Sequence, residues 1–88
     1  MDKITTTIKQ PYLSQIVEGT KKIEYRDIKP YWTKRLAKVS VPFELRLING
    51  MKKKAPEATM VIKKIRKNSR RGVYELHIGK ILDTKHLR

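Results

Sequence analysis

The sequence predicts a mixed α+β fold that is mainly β: a small, closed or partly closed barrel with one or two short helices. Three observations predict it. Apolar and β-branched residues alternate with polar ones in several short runs, as half-buried strands do. Turn signals separate these runs without any strand-helix-strand repetition, which argues against a dinucleotide-binding sheet, and no cofactor is expected. Finally, 88 residues at 39% apolar composition allow one core, so residues 1–88 form a single domain. A closed barrel also disposes of exposed sheet edges.

Ile4, Thr6 and Ile8 alternate with Lys3, Thr5, Thr7 and Lys9, which predicts a first strand ending near Gln10. Pro11 stops it. From there Tyr12, Leu13, Ile16 and Val17 fall on one helical face, and Gly19 suits the left-handed position past a helix end. A two-turn helix over residues 11–18 follows. Alternation resumes at residues 22–27, where Ile23 and Tyr25 share one face and Glu24 and Arg26 the other. Tyr12 and Tyr25 are expected to pack against apolar neighbours.

Pro30 introduces residues 31–38, a basic segment that reads as helix or turn. Phe43, Leu45 and Leu47 alternate with Glu44 and Arg46 in a third strand closed by the Asn49-Gly50 turn signal. A basic loop, residues 51–54, comes next. Met60, Val61, Ile62 and Ile65 predict a strand over residues 58–67, since β-branched residues favour strand over helix. After a turn at 68–72, residues 73–82 form a last strand or strand pair, with Tyr74, Leu76 and Ile78 on one face and Gly79 permitting a bulge.

Charge is the strongest compositional signal. Lys and Arg number 22 against 8 Asp and Glu, a formal net charge of +14. Most of the excess lies after Asn49. Such a field draws polyanions, and neutralising phosphates with counterion release gives salt-sensitive affinity, so nucleic acid is the expected partner. No apolar run approaches the ~18–20 residues of a membrane span, and no long basic amphipathic helix is visible to lie on a membrane surface. The start, Met1-Asp2-Lys3-Ile4, carries no apolar signal region. Without cysteine there is no disulfide framework or thiolate metal site, which fits a reducing cytoplasm.

The most informative stretch is Lys9-Gln10-Pro11-Tyr12, then Ile16, then Gly19-Thr20-Lys21-Lys22-Ile23-Glu24-Tyr25-Arg26. Gly19, Lys21, Glu24 and Arg26 fit a G-x-K-x-x-E-x-R pattern placed after a strand and a short helix. Lys9 and Pro11 extend it upstream, and Ile78-Gly79-Lys80 more loosely downstream. In this the chain resembles the ASCH family, named for homology to activating signal cointegrator. The resemblance spans most of the chain, though its specific part covers about the first third. It implies a PUA-like barrel whose cleft, between the helix-to-strand loop and the barrel mouth, binds RNA; DNA is the lesser expectation.

The residue chemistry permits such a site independently. Glu24 and Arg26, two apart on a strand, project to one side, where Arg26 can pair with Glu24 or meet a phosphate through its planar fork. Glu24 can accept from an exocyclic amine, and Lys21 can reach phosphate or a base carbonyl. The competing use of the pair is an ion bridge that orients the loop. Lys52-Lys53-Lys54, with Lys63, Lys64, Arg66, Lys67, Arg70 and Arg71, has no spacing that reads sequence and would position phosphates. Trp32 and Tyr31, flanked by Lys29, Lys34 and Arg35, could stack on splayed bases, although a lone tryptophan in a small domain is more often core. The expected interface is therefore Lys9, Lys21, Glu24, Arg26, Trp32, Lys52, Lys53, Lys54, Arg70 and Arg71.

Some ASCH proteins are amidohydrolases that deacetylate N4-acetylcytidine, and others are linked to RNA cleavage. In the amidohydrolase branch a threonine nucleophile occupies the motif glutamate position, with the motif lysine as its base. Glu24 stands there in this chain, and a carboxylate does not form the acyl intermediate of an activated hydroxyl. Thr20 adjoins Lys21 but is out of register. Glu57, Glu75 and Asp83 have no acid or base context, and His77 and His86 are isolated, so no metal site is expected; His77 shares a strand face with Glu75. A binding module is the preferred reading, with a metal-independent ribonuclease using Lys21 and Glu24, or an amidohydrolase, as the alternative.

Overall fold

The computed structural model describes residues 1–87. Its elements are β1 (Lys3–Thr7), α1 (Tyr12–Glu18), β2 (Ile23–Asp27), α2 (Pro30–Ala37), β3 (Phe43–Ile48), β4 (Glu57–Asn68) and β5 (Val73–Lys85). This is the mainly-β α+β architecture expected, and the basic segment after Pro30 resolves as helix.

One five-stranded sheet has the order β1-β3-β4-β5-β2. β1 runs parallel to β3, with Ile4 opposite Leu45, and every other neighbouring pair is antiparallel. The sheet curls into a half-barrel whose two ends are β1 and β2. Its concave side holds the core: Phe43, Leu45 and Leu47 of β3, Met60 and Ile62 of β4, and Leu76 of β5 are fully buried. Each such side chain contributes ~1.5–3 kcal/mol of transfer free energy relative to an exposed one.

β4 departs from simple alternation. Ala58, Met60 and Ile62 face the core, but the next inward residue is Ile65, because the register with β5 slips between Ile62 and Lys64. That slip leaves Lys63 and Lys64 exposed side by side. A second slip lies where Met60 pairs Ile81 and Ile62 pairs Ile78, so Gly79 and Lys80 together oppose Val61. The bulge anticipated at Gly79 is there, and bulges of this kind bend a strand and sharpen its twist.

Both helices pack against this core. α1 buries Leu13 and Ile16. Gln10 Oε1 accepts from Ser14 N–H (3.1 Å) in its first turn, and Gly19 ends it at φ 88°, a left-handed conformation in which a Cβ would be strained. α2 opens on Pro30 and buries Trp32 and Leu36, one turn apart, while Thr33 and Tyr74 share a hydroxyl hydrogen bond of 2.6 Å. Lys34 and Arg35 in its last turn complement the negative end of the helix. No described helix is long and apolar enough to cross a membrane.

Candidate nucleic-acid interface

An open half-barrel leaves two strand edges with backbone groups that need partners. On β2, Ile78 N–H donates to Lys22 and Ile28 N–H to Gly72, so the peptide groups of Ile23, Tyr25 and Asp27 face away from β5. On β1, Glu44 N–H donates to Asp2 and Ile8 N–H to Ile48, which turns the carbonyls of Thr5 and Thr7 toward the open side. Cations meet these groups. Lys21 Nζ donates to Ile23 O at 2.7 Å, Arg26 Nη2 to Thr7 O at 3.0 Å and Arg35 Nη2 to Thr5 O at 2.8 Å. Arg26 thus spans from one end of the sheet to the other across the seam.

Above that seam lies a cleft of about 1030 Å³, lined by Lys9, Tyr12, Lys21, Glu24, Tyr25, Arg26 and Asp27, with Thr7, Ile8 and Asn49 to Met51 completing the wall. At its base Glu24 is 6% exposed. Its Oε2 is 2.6 Å from Arg26 Nη2 and its Oε1 3.5 Å from Lys21 Nζ. The Lys21 ammonium also stands 5.4 and 5.1 Å from the ring centroids of Tyr12 and Tyr25, within the range of a cation–π attraction. Asn49 Nδ2 donates to Ile8 O at 2.9 Å, fastening the far wall to the end of β1. Three cations face two carboxylates in this cleft, so it is close to charge balance.

The structure gathers Lys9, Lys21, Glu24 and Arg26 and distributes the other expected residues. Lys52 and Lys54 line a second pocket of about 430 Å³, while Lys53 is exposed on the same loop and lines neither cavity. Arg70 is exposed on the β4–β5 turn; its neighbour Arg71 places its guanidinium 5.5 Å from the Tyr25 ring. Trp32 requires a correction. It is 7% exposed within the core cluster, and the guanidiniums of Arg26 and Arg35 lie 5.2 and 5.5 Å from its ring centre, so this ring is not an open stacking platform.

Tyr12 and Tyr25 are corrected in the opposite direction. Expected to pack, they are 49% and 41% exposed and flank the cleft. The reason is the facing of β2: Glu24, not Tyr25, turns inward. Asn49 and Met51 also belong to the cleft wall. The Asn49-Gly50 turn signal was legible in the sequence, but nothing local linked that turn to β2 across the seam.

No family model, curated protein or solved structure matches this chain. Outside the cleft two further carboxylates are tied down. Arg46 grips Glu57 through two hydrogen bonds of 2.7 and 2.8 Å, and these hold the Glu57 carboxyl below its usual range. Asn68 Nδ2 donates to Glu75 at 3.0 Å and lowers that carboxyl likewise, with help from Arg66, while His77 Nε2 is 3.8 Å from it. These pairs pin β3 to β4 and brace the β4–β5 hairpin. The cleft, by contrast, offers a carboxylate acceptor, two aromatic faces and fixed cations within one concave wall.

Proposed function

We propose that this chain is an RNA-binding module of the ASCH type, on a PUA-like barrel, that holds an unstacked nucleotide in the cleft beside Gly19 to Arg26. One observation carries the reading: Glu24 is buried at the foot of a cleft between two half-exposed tyrosines, with Lys21 and Arg26 fixing its oxygens. A carboxylate so placed accepts from an exocyclic amine, and tyrosine faces stack on any base. Near-neutral charge suits a base with its sugar better than a bare polyphosphate, which would call for an uncompensated cluster of cations. Thr7 and Asn49 on the wall offer partners for a ribose 2′-hydroxyl, the group that separates RNA from DNA. A cysteine-free chain that engages RNA also fits the cytoplasm.

Binding is favoured over catalysis by the state of Lys21. Its ammonium donates to the Ile23 carbonyl and faces the Glu24 carboxylate. It acts as a fixed cation, not as a base poised over a nucleophile. Fluorescence anisotropy of labelled single-stranded RNA tests the reading. The folded protein should bind with affinity that falls steeply with salt, Arg26→Ala should weaken binding by roughly tenfold or more, and the RNA should run intact on a denaturing gel. Unchanged affinity in Arg26→Ala would place the interface elsewhere. Fragments that disappear with Lys21→Ala would transfer the assignment to a ribonuclease.

A further inference from the structure

The cleft does not end at Gly50. Gly50 and Met51 line both the large cleft and the 430 Å³ pocket beside it, so the two cavities share one low ridge. Their electrostatics differ sharply. The first sets Lys9, Lys21 and Arg26 against Glu24 and Asp27. The second sets Arg46, Lys52, Lys54 and Lys85 against Glu57 alone, and Glu57 is already consumed by Arg46. Lys52, Lys54 and Lys85 are exposed and take part in none of the salt bridges or side-chain hydrogen bonds among the described residues. The ridge itself carries Met51, 92% exposed, a flexible and polarisable side chain well suited to lie against the flat face of a base.

From this division we infer that the second pocket is a phosphate subsite, and that the protein grips a continuous single strand of RNA: one base in the tyrosine-walled cleft, the chain crossing Gly50 and Met51, and the adjoining phosphates held by Lys52, Lys54 and Lys85. The inference rests on the reading of the cleft given above and adds to it the length of ligand and the path it takes. Lysines that meet phosphates carry no sequence information, so this subsite supplies affinity and register while the cleft supplies base preference. A lone nucleotide occupies only the first cavity. An oligonucleotide occupies both.

The test compares randomised RNA hexamers with randomised dinucleotides, using the whole chain. Hexamers should bind at least tenfold more tightly. The triple variant Lys52→Glu, Lys54→Glu, Lys85→Glu should lose that advantage, weakening hexamers far more than dinucleotides, and its slope of log K against log salt should be shallower by about two for hexamers, since each phosphate contact on a single strand contributes ~0.7. A control with the same charge change at exposed lysines outside both cavities, Lys22→Glu, Lys38→Glu, Lys80→Glu, should retain most of the length dependence. If the loop variant binds hexamers like wild type, or if the control loses as much, the subsite is overturned and the cleft reading stands. If wild type binds neither ligand, the cleft reading fails and the subsite with it.

Discussion

Strands β3 and β2 carry the same two-residue alternation and put it to opposite uses. In β3 the apolar set, Phe43, Leu45 and Leu47, is fully buried, and Glu44 and Arg46 stay on the outer face. In β2 the charged pair turns inward, with Glu24 buried and Arg26 half-buried, while Tyr25 stands exposed. Alternation decides which residues share a face. It does not decide which face is covered. β3 lies between two strands that satisfy its backbone, whereas β2 ends the sheet, and its inward charges reach out to close the seam that no strand fills. Inward-pointing charge on an end strand also discourages another strand from adding there.

The comparison breaks most visibly in β3. Leu45 has no exposed surface and sits opposite Ile4 and Met60. Leu45→Ala should cost ~2–5 kcal/mol in urea unfolding, a large share of the ~5–15 kcal/mol that holds a typical domain together. A loss below about 1 kcal/mol would mean that the core lies elsewhere.

In β2 the expected effect is smaller and depends on how the charge is removed. Glu24→Ala strands Lys21 and Arg26 at the foot of the cleft and should cost about 1–3 kcal/mol, below the ~3–5 kcal/mol of a sealed ion pair because the cleft is open to water. Replacing the tight pair itself, Glu24→Met with Arg26→Met, should recover part of that loss, as apolar replacement of buried pairs commonly does, the remainder reflecting Lys21 left without its carboxylate and Thr7 O without its donor. RNA binding should still be lost. If the double variant kept its affinity, the inward charges would serve only to close the sheet.

These contrasts separate what is legible in the sequence from what is not. Five strands, the first helix with its Gly19 terminator and the bulge at Gly79 follow from local signals: period, capping and turn chemistry. The identity of the cleft wall does not. Periodicity puts Tyr12 and Tyr25 on faces shared with apolar residues, which predicts packing, yet their surroundings are set by Lys21, which lies near both rings only once α1 and β2 are placed. Trp32 was ambiguous for the same reason: the arginines over its ring come from β2 and from the following turn of α2. The ridge at Gly50 and Met51 was invisible as well, since it is defined by two cavities and neither exists in the linear chain.

The smallest effect separates the ion pairs of the two regions by acid. Arg46 holds Glu57 between β3 and β4, and hydrogen bonding keeps that carboxyl below its ordinary value of 4.5 in the folded chain. A carboxyl with a depressed folded value adds stability that is present above the unfolded value and is lost as pH falls through the folded one. Stability should therefore hold steady from neutrality down to about pH 5 and decline below about pH 4.5, a trend that mutual repulsion among the many cations deepens. Urea midpoints for wild type and Glu57→Gln isolate the local part. The variant should be less stable at neutral pH, because a neutral amide holds Arg46 more weakly, and the difference should shrink as pH falls from the ordinary value of 4.5 through the depressed folded one, where wild-type Glu57 itself becomes neutral. A gap that stayed constant across this range would show that Glu57 acts through its shape alone, and the grip between β3 and β4 would then be one of packing, with charge confined to the seam beside β2.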